Sequence, residues 1–222
     1  MLVLLSLARE RAAAASLVLM AIGVQLINPQ RLVVGPVFAV PLVEAALLVT
    51  RLLGRRRISD PHHGGLRAIA LVLASIMVLA TVLATGRLVE MLVTGQAGVT
   101  PTELIRAGAG IWVTNVIAFA ILYWEIDLGG PARRSLDGEV PDPATMPTPD
   151  CLFPQYDSTR TPHDWQPTVA DYLYTSFTNA TAFSPTDTMP TGHRAKAMMA
   201  AQSAVALITM AFLFARAINT LQ

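Results

Sequence analysis

Apolar residues run along this chain in long blocks instead of alternating with polar ones. Five blocks approach the roughly 20 residues that a helix needs to cross about 30 Å of hydrocarbon. They are 12–27, 33–53, 66–91, a fourth that starts at the cap-like Thr100-Pro101-Thr102-Glu103 and ends near Trp124, and 196–218. The pattern predicts a transmembrane helix for each. The first block closes at Asn28-Pro29. Residues 1–13 place Arg9, Glu10 and Arg11 after an apolar start, the reverse of a secretory signal, and read as an amphipathic lead-in. The second block contains Pro36 and Pro41, which a span tolerates when neighbouring helices satisfy the freed carbonyls. Tyr123-Trp124 falls where an interfacial aromatic belt is expected.

One polar break interrupts this pattern. Residues 127–167 hold eight of the 15 prolines, and nine of the 15 acidic residues fall between Glu125 and Asp171. That composition predicts an irregular loop lying on the membrane face. The chain thus divides into a four-helix region (1–126), the Pro-rich acidic loop (127–167) and a final segment (168–222). No internal repeat is visible, which argues against an inverted-repeat transporter.

Composition narrows the class further. Only 14% of the 222 residues are charged and 53% are hydrophobic, against roughly a quarter charged in a soluble domain. A net charge of +1 gives nucleic acid no electrostatic footing. The lone Cys151 excludes a disulfide framework. His62-His63 and His163 lack a second pair at metal-ligand spacing, so no metal centre and no cofactor are expected. No nucleophile–base set or glycine-rich phosphate loop stands out, so no catalytic residue is assigned and an enzyme is not expected. With the N-terminus inside, twelve of the 16 Lys and Arg residues fall on the cytoplasmic side, and the short Arg55-Arg56-Arg57 turn carries most weight. The expected location is a bacterial plasma (inner) membrane, crossed several times, with a cytoplasmic N-terminus.

Residues 171–190 read DYLYTSFTNATAFSPTDTMP. This stretch resembles the pore loop of tetrameric potassium-channel-type proteins, in which a short amphipathic helix runs into a filter and then an Asp and a Pro before the inner helix. The resemblance lays 171–178 on the pore helix and Thr181 on the threonine before the filter. It lays Ala182-Phe183-Ser184-Pro185-Thr186 on the filter strand, and Asp187 and Pro190 on the Asp and Pro that follow. The filter itself is degenerate. Ser184 and Thr186 replace the glycines, and Pro185 between them has a fixed φ and no amide hydrogen. Potassium selectivity is therefore not implied. The predicted orientation also brings this loop in from the cytoplasm, whereas such channels admit it from outside. A second resemblance covers the whole chain. It is carried by Trp112, Tyr123, Phe153-Pro154, Asp171-Tyr172-Leu173-Tyr174, Phe177, Thr186-Asp187, Arg194 and Asn219. On these residues the chain is similar to a family of bacterial integral membrane proteins of unknown function, which implies a fold and no activity.

Polar residues inside the blocks complete the candidates. Glu44, mid-way along the second block, is a functional candidate by default. It is expected to be protonated or paired with a neighbour such as Gln25, or simply to hold helices together. Asn115 and Gln202 are buried amides suited to interhelical hydrogen bonds. Gln202, Thr209 and Arg216 recur every seven residues as a polar stripe, either packed inside or lining a water-filled path. Ala197, Ala201, Ala204, Ala211 and Ala215 form a stripe of small side chains. Arg87 and Glu90 are spaced to pair on one helix face. Asp187 is either a mouth carboxylate or a cap and partner for Arg194 or Lys196. The expected fold is an all-α polytopic bundle of five transmembrane helices plus a short re-entrant, pore-like helix. The expected function is an oligomeric, ion-conducting membrane protein with a channel-like pore loop and no assigned selectivity, whose expected partners are further copies of itself, the lipid bilayer and a monovalent cation. Its alternatives are a non-conducting accessory subunit and a small transporter built on Glu44.

Overall fold

In an apolar segment only a helix satisfies every backbone amide from within, and most of the chain is helical. The computed structural model describes residues 2–27, 38–54, 63–94, 100–136, 148–159, 161–162, 165–184 and 187–220. Among the described residues seven α-helices follow in order: α1 (Leu2–Ile27), α2 (Ala39–Gly54), α3 (His63–Thr94), α4 (Pro101–Ile126), α5 (Pro131–Leu136), α6 (Val169–Ala182) and α7 (His193–Thr220). Two short strands, β1 (Cys151–Leu152) and β2 (Met189–Pro190), pair antiparallel.

Four stretches are long and apolar enough to cross a membrane: Ala8–Ile27, Gly65–Thr94, Thr102–Gly129 and His193–Ala215. The expected second span is a shorter apolar helix, Ala39–Thr50, among the described residues. Its first part, 33–37 with Pro36, lies outside them, and Pro41 sits in the first turn, where its missing N–H has no intrahelical partner to lose. The outer surface is apolar. Leu42, Leu79, Val93 and Phe214 are all exposed, and an exposed apolar surface this extensive suits hydrocarbon and not water.

The fourth helix is the axis of the bundle. Its spanning window is 67% buried, against 17% for α1 and 28% for α7. α1, α3, α6 and α7 all pack on it. Thr100 caps it: its hydroxyl accepts from Glu103 N at 3.2 Å while Glu103 Oε2 accepts from Thr100 N at 2.9 Å, with Pro101 at the first helical position. Gly108 is required by packing, because a Cβ there would lie 2.8 Å from the Leu213 side chain of α7.

At the far end of α4 the chain turns sharply. Leu128, Gly129 and Gly130 have φ of 51°, 83° and 93°, a left-handed run in which the two glycines avoid the Cβ penalty. The turn folds α5 back, and Arg134 donates to the carbonyls of Trp124 and Asp127 at 3.0 and 2.5 Å. These are C-terminal carbonyls that the helix leaves open. The start of α1 meets the same end, where Glu10 Oε2 accepts from Val169 N at 2.6 Å. The start of α3 does too, since Arg67 and Glu125 both flank Gly130.

The expectation of a wholly irregular 127–167 loop needs correction. Among its described residues, Phe153, Tyr156 and Trp165 pack edge-to-face with one another and Phe153 with Tyr172, at centroid distances of 5.2 to 6.4 Å. Proline and acid counts miss this small aromatic core, because a handful of large rings buries enough area to order a loop.

Candidate functional site

The site is built on α6. Thr168 and Asp171 form a capping box: Asp171 Oδ2 accepts from Thr168 N at 2.8 Å and from its hydroxyl at 2.7 Å. Along the helix, Tyr172, Ser176 and Asn179 fall near one face (i, i+4, i+7) and are buried, while Tyr174, Phe177 and Thr181 lie on the other and are exposed. Small polar side chains on the inner face let α6 settle between α4 and α7.

Gln202 of α7 organises that interface and is fully buried. Its Oε1 accepts from Tyr123 OH at 2.6 Å and from Asn179 Nδ2 at 2.8 Å. Its Nε2 donates to Ser176 O at 3.0 Å and is 2.6 Å from Ser176 Oγ. Ser176 Oγ in turn donates to Val116 O of α4 at 2.7 Å. Both lone pairs and both N–H groups of the amide are used. Asn115, also buried, has Nδ2 3.5 Å from Gln202 O, and its Oδ1 has no partner among the described residues.

These bonds set the depth of α6. Tyr172 OH donates to Asp127 Oδ2 at 2.5 Å, at the end of α4. Ser176 meets Val116, eleven residues back from Asp127, roughly 16 Å along the axis of α4. α6 then stops: Thr181 and Ala182 are its last residues and Phe183 is left-handed, with φ of 55°. The chain comes back through Thr188, whose hydroxyl is 3.0 Å from that of Thr175, into β2. β2 pairs with β1, and the Cys151 amide of β1 donates to Asp127 Oδ1 at 3.2 Å. Both limbs of this hairpin therefore begin and end beside Asp127, and Ser176, two turns before the tip, lies beside Val116 of α4.

Asp127 is the clasp. Its carboxylate is fully buried and accepts from Asp150 N at 2.7 Å as well as from Cys151 N and Tyr172 OH. The Arg134 guanidinium lies 5.3 Å from the Tyr172 ring centroid and supplies a positive charge beside it. Cys151 is sealed in this knot. Burial pushes its thiol well up, and the Asp127 and Asp150 carboxyls push in the same direction. It packs inside the core.

The predicted candidates sort themselves on this frame. Thr181, Ala182, Phe183, Ser184 and Asp187 are all exposed around the hairpin tip and its return limb. Pro185 and Thr186 lie outside the described residues. An extended filter strand does not start at Ala182, which is helical, nor at Phe183, which is left-handed. The helix runs on because residues 169–182 hold no proline or glycine to stop it. Gln202 and Thr209 are buried within the bundle, Thr209 Oγ1 lying 3.4 Å from Thr85 Oγ1 of α3, so neither lines an open path in the single chain. The alanine stripe of α7 is exposed instead. Glu44 is buried against Gln25 in the second turn of described α2, opposite the last turn of α1. Arg87 and Glu90 pair at 2.5 Å, while Arg194 reaches Asp150 at 3.4 Å.

No family model matches the chain, and neither a curated protein nor a solved structure matches it. The two resemblances rest on the residues that carry them.

Proposed function

We propose that this chain is a multi-pass membrane protein with α2 as a fifth span and the α6–β2 hairpin as a re-entrant loop. Its copies assemble so that the hairpin tips face a common water-filled axis, which passes monovalent cations. The carrying observation is the tip. Phe183 and Ser184 are non-helical and exposed, seven and eight residues beyond Ser176, which itself meets Val116 eleven residues in from the Asp127 end of the most buried spanning helix. Lipid cannot satisfy non-helical backbone at that depth; such backbone persists only when covered by protein or bathed by water. Polar Thr181 and Ser184 on the exposed side fit a wet axis better than acyl chains. Arg9, Arg67, Arg133 and Arg194 lie at the Asp127 end, which supports a cytoplasmic N-terminus and entry of the hairpin from that side, in a bacterial inner membrane.

A second reading, an oligomer that does not conduct, is favoured by one feature. The helical Ala182 and left-handed Phe183 supply no extended row of carbonyls where a filter would begin. The tests are mass in detergent and cation flux in liposomes. The expected result is a particle of several copies with flux that falls in Asp187→Asn. An oligomer without flux selects the second reading, and a strict monomer contradicts both.

A further inference from the structure

α2 buries a carboxyl group that meets no positive charge among the described residues. Glu44 has no exposed surface, and both of its oxygens lie 3.1 Å from one donor, Gln25 Nε2. α1 and α3 pack on α2. Neither offers a counter-charge near it: residues 12–27 of α1 and 68–86 of α3 contain no Asp, Glu, Lys, Arg or His. In α2, residues 39–50 contain no ionisable side chain besides Glu44. The next charge along α2 is Arg51, seven residues on, roughly 10 Å up the helix axis. Arg87 of α3 is already paired with Glu90.

An ionised carboxylate here would set one neutral amide against the full desolvation penalty of a buried ion. Taking up a proton removes that penalty. The Gln25 side chain carries both an N–H and a C=O, so it has a partner for either half of a carboxylic acid. We infer that Glu44 is a proton-binding site: its carboxylate takes one proton from water, forming an O–H bond, and holds it at neutral pH. The site stands apart from the hairpin, so it survives if the channel-like reading fails.

Infrared spectroscopy of the full chain in lipid tests this. At neutral pH the wild type should show a carboxylic-acid C=O band that is missing in Glu44→Gln and retained in Glu44→Asp. The band should shift in frequency in Gln25→Ala, where the amide partner is gone. Coincident acid-region spectra for wild type and Glu44→Gln, with a carboxylate band lost in the variant, would overturn the inference. Should Glu44→Gln not fold, the Gln25→Ala shift decides: a wild-type acid band that does not move contradicts the site.

Discussion

Asp127→Ala is expected to detach the hairpin stem from α4 and to destabilise the protein by about 3–5 kcal/mol. Three donors end on this carboxylate: the amides of Asp150 and Cys151 and the Tyr172 hydroxyl. Leaving a buried donor unpaired costs roughly 1–3 kcal/mol, and neighbouring losses add incompletely. The Arg134 charge, which acts on this carboxyl, would also lose part of its compensation, and an uncompensated buried charge is among the costlier defects. Asp127→Asn keeps one oxygen for the two amides and should cost about half as much. Tyr172→Phe removes a single bond and should cost about 1–2 kcal/mol. Denaturant unfolding in micelles reads the ranking. Limited proteolysis should show cleavage appearing within 148–168 in Asp127→Ala alone. Equal stability of Asp127→Ala and wild type would remove the clasp.

Gln202→Leu is the second large effect, expected at about 2–4 kcal/mol. The substitution keeps volume and deletes four contacts, with Tyr123, Asn179 and both acceptors on Ser176. Hydrogen bonds between membrane helices average about 0.6 kcal/mol and reach about 1.7, and the partners left behind here are themselves buried. Gln202→Glu retains the acceptor for Tyr123 and Asn179 but cannot donate to the Ser176 carbonyl, so it should fall between. Thr209→Val is the contrast. That hydroxyl bonds its own helix at Val205 O and only approaches Thr85, so its loss should stay under about 1 kcal/mol. The same micelle unfolding assay measures all three, and a Thr209→Val cost equal to that of Gln202→Leu would refute a hub at Gln202.

The helices were legible because their signals are local. Unbroken apolar blocks mark the cores of α1, α3, α4 and α7, and Thr100-Pro101-Thr102-Glu103 spells out the cap that the structure forms. The Arg87–Glu90 pair and the Gln25–Glu44 contact could be named because few polar residues compete for partners in those helices. The Asp127 clasp could not. Two of its three donors are backbone amides, which leave no mark in a sequence, and the third, Tyr172, is 45 residues away. Gln202 was visible as a buried amide, yet a seven-residue recurrence identifies a helix face and not what covers that face. The 148–168 stretch misled because its prolines and acids outnumber the few aromatic rings that order it.

The most direct measurement concerns which side each limb of the hairpin reaches. Cys151 is 1% exposed and is a poor reporter, so it is first replaced by alanine. Single cysteines at Thr159, His193 and Thr102, all exposed, are then treated with a membrane-impermeant thiol reagent in sealed vesicles of known orientation. A segment that dips and returns predicts that positions 159 and 193 react from one side of the membrane and position 102 from the other. Reaction of 159 and 193 from opposite sides would mean that the segment between them crosses the bilayer, and no re-entrant hairpin would exist.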